Sequence, residues 1–335
     1  MKNIIRLSVS LLALLLSLSS CVHQWPESVP TSVTLKFVFD RSMNPFDTLE
    51  FDTKAAQAEK LSARYVVEAF RMKADGTYYR DAAARQVYTK DDIENLDHEV
   101  VFTVPDEGNY TVKAWVDFVD RGSTDHKYYN TDKFSEITIH KHEGNCEYRE
   151  AYIGTIEVDV IRYGSQVPLV EGTLEMSRPV ARYEFLSADL DEFIEKETRL
   201  LNTGVDEKDA KKLDLNDYTV RVYYTGFMPS AFNMHSDRPN DSKTGVYYDS
   251  KIQPVDDKHA KLGFDFVLAN PDDASVVAAV VIFDKNGVEL AGTTDIHIPL
   301  KRGMLTTVKG NFLMKESSGG VSINPDFDGE FNIIL

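Results

Sequence analysis

Apolar side chains recur at every second position through most of this chain, and that period dictates strands rather than helices. Val33, Leu35, Phe37 and Phe39 share one face of a first segment. Tyr110, Val112, Ala114, Val116 and Phe118 repeat the pattern over nine residues. Val100, Phe102 and Val104 give a shorter run, and Ile137 and Ile139 close the first half. In the second half the same alternation returns in Ile156–Val160, Ala181–Phe185, Tyr218–Tyr224 and Leu262–Leu268. Val276–Phe283 is apolar throughout and predicts a central strand covered on both faces. Turn signals separate the runs: Asp75-Gly76, Pro105-Asp106-Glu107-Gly108 and Asp284-Lys285-Asn286-Gly287. Strands between turns, with almost no helical periodicity, predict a mostly β protein built from antiparallel β-sandwiches.

A length of 335 residues accommodates two such units. The polar, charged stretch between Lys141 and Ala151 predicts the boundary, giving sandwiches at 33–143 and 151–335. One helix is expected in the second unit. Ser187 is placed to cap it, Leu190, Phe193, Ile194, Leu200 and Leu201 fall on one face, and Gly204 stops it. Lys54–Leu61 reads as a second, shorter helix.

The N-terminus is an export signal. Lys2 and Arg6 precede an apolar run from Ser8 to Leu18, too short for the about 20 residues that span a bilayer. The run ends in Leu18-Ser19-Ser20-Cys21, which resembles the lipobox of bacterial lipoproteins. That resemblance implies removal of residues 1–20 and lipidation of Cys21. The acyl chains then hold the protein on a membrane, since each buried methylene contributes about 0.8 kcal/mol. Residues 21–32, with Pro26 and Pro30, read as a tether between lipid and fold. The expected location is the outer membrane, on the cell surface. With Cys21 lipidated, Cys146 has no cysteine left to pair with.

The net charge is −17, from 37 basic and 54 acidic side chains, which excludes a nucleic-acid footprint. Searches for reactive sites return little. His140, His142 and Cys146 could approach one metal from a strand end but lack a fourth ligand unless Glu143 or Glu147 serves; a solvated strand end is the expectation, with no metal and no cofactor. Glu143, Glu147 and Glu150 would oppose a reactive thiolate at Cys146. Asp326-Phe327-Asp328-Gly329-Glu330 has the oxygen density of a calcium loop without its spacing. No Gly-x-Ser-x-Gly elbow, phosphate loop or His-Glu-x-x-His helix occurs. The chain therefore reads as a non-enzyme. Paired tyrosines at Tyr128-Tyr129, Tyr223-Tyr224 and Tyr247-Tyr248 each place one ring inward and one outward on a strand, which leaves glycan binding as an alternative role.

A lipobox followed by two sandwiches resembles the fimbrillin-type lipoproteins of Bacteroidales. Arg178-Pro179-Val180-Ala181-Arg182 is similar to the stretch opening their second sheet. Lys301-Arg302-Gly303-Met304-Leu305-Thr306-Thr307-Val308 and Gly320-Val321-Ser322-Ile323-Asn324-Pro325, with Asp328-Gly329-Glu330-Phe331, are similar to segments near their ends. The resemblance implies transthyretin-like sandwiches and a non-enzymatic structural or accessory subunit in fimbria assembly or adhesion. It implies proteolytic processing at Arg41, the first arginine after the Val33–Phe39 strand, and strand exchange with other fimbrial subunits. The donated strand would carry Phe331, Ile333 and Leu335.

Overall fold

The computed structural model describes residues 30–39, 60–161, 170–272, 274–315 and the backbone of 331–334. Among the described residues twenty strands form five sheets, as the alternation requires. The first sandwich faces two sheets together. One has the order β4-β1-β9, from β1 (Thr31–Phe39), β4 (His98–Val104) and β9 (Val170–Met176). The other has the order β3-β2-β5-β8, from β2 (Leu61–Arg71), β3 (Ala84–Lys90), β5 (Gly108–Asp120) and β8 (Tyr152–Val160). Val33, Leu35 and Phe37 point into the space between them, and Phe37 meets Tyr65 edge-on at 5.0 Å.

The expected boundary at 144–150 cuts across this pairing. β8 lies antiparallel to β5 and β9 lies parallel to β1, so both belong to the first sandwich. Strand partners so distant in sequence leave no local trace, and a polar stretch imitates a linker. A parallel pair also departs from the all-antiparallel expectation. It is joined by two more, β10 with β19 and β19 with β20.

The second sandwich has one sheet in the order β15-β16-β10-β19-β20: β10 (Val180–Ser187), β15 (Gln253–Pro254), β16 (Ala260–Leu268), β19 (Leu305–Gly310) and β20 (Phe331–Ile334). Its other sheet has the order β14-β11-β17-β18: β11 (Thr219–Tyr224), β14 (Tyr247–Ser250), β17 (Ala274–Phe283) and β18 (Glu289–Leu300). β17 sits inside its sheet, between β11 and β18, as its apolar run predicts.

A fifth sheet joins the halves. β6 (Tyr129–Asn130) and β7 (Ile137–Ile139) come from the first half, and β12 (Met228–Asn233) and β13 (Arg238–Lys243) from the second. It lies over the outer face of β5, where Trp115 meets Tyr129 at 5.2 Å and Phe232 at 6.1 Å. That cover explains why β2 and β5 are buried on both faces and why Arg64, Glu68, Lys113 and Asp117 are buried among them.

The helix α1 spans Leu190–Leu201. Ser187 ends β10 instead of capping it, and Asp189 is the N-cap. The Asp189 carboxylate accepts from the backbone N–H of Leu313 and Met314 at 3.1 and 2.9 Å, fastening the helix start to the chain after β19. Leu190 and Phe193 are buried, but Leu200 is 58% exposed, because the packed face ends a turn before the helix does. Of the shorter expected helix, Leu61 opens β2 instead; residues 54–59 lie outside the described residues.

Candidate functional site

The stretch from Lys141 to Ala151 is a clasp between the two sandwiches. It crosses β16 where β15 has ended, and Asn145 pairs with Phe264 as a strand residue would. The Asn145 N–H donates to the Phe264 carbonyl and the Asn145 side-chain oxygen accepts from the Phe264 N–H, both at 2.9 Å. Its side-chain nitrogen reaches the Asp249 carbonyl on β14 at 3.3 Å, so one residue bridges the edges of both sheets. Asn145 has φ +56°, a left-handed conformation that asparagine tolerates better than most residues. Gly144 lies flat against Tyr248, and a Cβ added there would run into the ring.

Arg149 is held from both sides. Its carbonyl accepts from the Tyr129 hydroxyl of the first half at 2.6 Å. Its guanidinium, fully buried, pairs through Nη1 with Asp265 on β16. Nε and Nη2 have no hydrogen-bond partner among the described residues. Asp265 faces the sandwich interior, opposite Tyr183. Its Oδ2 accepts from Tyr224 at 2.6 Å and from His142 at 2.8 Å, and its Oδ1 accepts from the Phe266 N–H at 2.8 Å. A carboxylate can only accept, so His142 carries its proton on Nε2. Tyr248 donates to Tyr183 at 3.4 Å and Tyr183 to Tyr224 at 2.9 Å, a relay ending on Asp265. Burial pushes all three phenols well above their ordinary pKa, which keeps them donors. Burial alone would raise Asp265, but Arg149, His142 and Tyr224 outweigh it and hold the carboxyl below the usual range.

Both arginines of the Arg178–Arg182 motif serve the same clasp. Arg178 pairs with Glu150 and lies 5.4 Å over the Tyr152 ring. Arg182 pairs with Glu147 at 2.8 Å and stacks 3.9 Å over Phe264. The second motif abuts the first: Arg302 Nε donates to the Arg178 carbonyl at 2.8 Å, and the Gly303 N–H donates to the Val180 carbonyl at 2.8 Å. Arg302 also forks onto Asp237 at 2.9 and 2.8 Å, drawing in the turn between β12 and β13. Two segments more than a hundred residues apart thus meet at one junction.

A family profile matches residues 26–335. The chain belongs to DUF6562, a family of unknown function. No curated protein matches it. Among solved structures it is similar to the fimbrial anchor protein Mfa2 from Porphyromonas gingivalis, at 12% identity and TM-score 0.43, over 80% of this chain and 83% of that one. It is also similar to a fimbrial assembly protein from Parabacteroides distasonis ATCC 8503, at 11% identity and TM-score 0.37, over 84% and 91%.

The residues singled out in the sequence fall as follows. Cys21, Arg41, Leu335 and Asp326–Glu330 lie outside the described residues, and Phe331 and Ile333 are described in backbone only. β20 pairs with β19 of its own chain, at the edge of the sheet. β1 is the middle strand of its sheet. His140, His142 and Cys146 do not converge. His140 is exposed, His142 turns to Asp265, and Cys146 donates to the Tyr128 hydroxyl at 3.3 Å. Burial pushes the Cys146 thiol up, away from reactivity. Tyr224 and Tyr248 point inward and Tyr223 and Tyr247 outward, as alternation predicts, but Tyr128 and Tyr129 are both buried, Tyr129 against Trp115 of β5 and Tyr128 beside Cys146 of the clasp. Arg149, Asp265, Gly144 and Asn145 escape sequence reasoning. The one available signal is Asp265, a lone carboxylate inside the apolar run Leu262–Leu268.

Proposed function

We propose that this chain is a non-enzymatic surface subunit of fimbrial type, delivered to the outer membrane by lipid on Cys21 and, once a cut after Arg41 frees it from that lipid, joined to other subunits by strand addition. The observation that carries the reading is the position of β1. It pairs antiparallel with β4 over seven residues and parallel with β9 over seven, and Val33, Leu35 and Phe37 are fully buried beneath it. A strand withdrawn from there leaves a groove with a pairing edge on each side and three apolar pockets, which is the geometry that β-strand addition needs. Each refilled pocket contributes about 1.5–3 kcal/mol. Arg41 lies two residues beyond β1, where a cut would release the strand. The lipobox and the motifs meeting at the junction support the same reading.

The test is the mass of the protein extracted from its own cells. The reading expects an N-terminus at Cys21 carrying acyl chains, and, in assembled material, a chain beginning after Arg41. Cys21→Ser should leave unlipidated protein. An extracted protein of unmodified mass with residues 1–20 still attached would end the assignment, as would assembly by a chain whose β1 is disulfide-locked in place.

A further inference from the structure

The outer face of the sheet β14-β11-β17-β18 carries a group of side chains that the subunit reading does not use. Tyr223 and Tyr247 are directly opposed across β11 and β14, and so, one rung along, are Arg221 and Asp249. Positions two apart share a face, so all four project from the same side of the sheet. The two tyrosine rings stand 5.7 Å apart, tilted by 43°. Tyr247 is 51% exposed. Arg221 lies 4.7 Å over Tyr247 and donates through Nε and Nη2 to the two oxygens of Asp249, at 2.5 and 2.8 Å. The fork holds a donor-rich plane over one face of Tyr247 and a carboxylate next to it, with both groups still partly open to solvent.

From this arrangement we infer that Tyr223, Tyr247, Arg221 and Asp249 form a platform for a neutral polysaccharide. The C–H faces of a pyranose are weakly positive and match the negative face of an aromatic ring. Hydroxyl groups both donate and accept, so they use Asp249 as acceptor and Arg221 as donor without bringing charge of their own. The fork is locally neutral, and the chain as a whole carries −17, which disfavours an acidic polymer. The face is a sheet surface rather than a pocket, so it accepts a stretch within a glycan chain rather than a chain end. This site goes beyond the subunit role and does not depend on it.

Electrophoresis of the whole protein through gels containing dextran, galactomannan, xylan or polygalacturonate tests the inference. At least one of the three neutral polymers should retard the protein, and polygalacturonate should not. Tyr223→Ala combined with Tyr247→Ala should weaken that retardation by about tenfold, on the scale of lost aromatic stacking, with an unchanged melting temperature. Tyr79→Ala, which removes an exposed tyrosine on the first sandwich, should leave it intact. Retardation by none of the neutral polymers, by polygalacturonate alone, or equally in wild type and the double variant, overturns the proposal. So does self-association that the double variant abolishes without any retardation, which would assign the face to a second copy.

Discussion

Two buried arginine–aspartate pairs perform different tasks in this molecule. Arg64 and Asp117 face each other across β2 and β5, inside one sheet. The fork is bidentate at 2.8 and 2.6 Å, and the remaining guanidinium donors reach the carbonyls of Thr124 and Tyr129 and the ring of His126. Arg149 and Asp265 come from the clasp and the second sandwich. There the arginine uses a single nitrogen for the carboxylate, while the carboxylate gathers donors from His142, Tyr224 and the Phe266 N–H. In the first pair the cation is saturated; in the second the anion is. A saturated cation welds a sheet to the strands covering it. A saturated anion makes a socket, into which an arginine from elsewhere is plugged.

The comparison breaks most sharply at the two arginines. Removing one partner of a buried pair costs about 3–5 kcal/mol. Arg64→Met should reach that range, because Asp117 loses its bidentate partner. Arg149→Met should cost less, because Asp265 keeps three donors, and it should also separate the unfolding of the two halves. In a Trp25→Phe background, Trp115 fluorescence reports the joint between β5 and the fifth sheet and far-UV circular dichroism the whole, so their denaturation midpoints should diverge in Arg149→Met alone. Coincident midpoints in both variants would erase the distinction between weld and socket.

Gly144→Ala should cost about 1–3 kcal/mol, since its Cβ must displace the Tyr248 ring or the clasp itself. Urea unfolding measures it, and a neutral result would mean that the clasp does not depend on that close approach. Asn145→Ala loses the side-chain acceptor for the Phe264 N–H, the side-chain donor to the Asp249 carbonyl and the tolerance for positive φ, at about 1–2 kcal/mol. The smallest effect is acid dependence. Asp265 is held below its unfolded value, so its contribution is present above an unfolded pKa of about 4 and is lost as pH falls through the lower folded value. Urea midpoints followed into acid should fall more steeply in wild type than in Asp265→Asn. Identical slopes would remove the carboxylate from the account.

Most of the strands were legible because their apolar residues obey the period of two; β1, β5 and β16 follow directly from it. Face assignment was less secure. In β16 the more apolar set, Leu262, Phe264 and Phe266, turns away from the sandwich interior, while Asp265 turns into it. Alternation identifies two faces without saying which is covered, and here both are. The clasp was illegible for a related reason. Glu147, Arg149 and Glu150 look like solvated linker residues until Arg182, Asp265 and Arg178 are beside them, and those partners lie 35, 116 and 28 residues away. Cross-chain charge pairing has no sequence period. Likewise, nothing local announces that β9 runs parallel to β1.

That parallel neighbour changes what happens when the chain is pulled. A load applied ahead of Thr31 and directed along β1 cannot peel its hydrogen bonds one at a time. Bonds to β4 and β9 run across the strand on both flanks, so the ladders are stressed in shear, all together. Fourteen residue pairings then share a force that an edge strand pulled crosswise would concentrate on one. A protein tethered from that end would carry tension through a strand stressed in shear on both flanks, yield little before rupture, and lose the entire sheet centre when it fails.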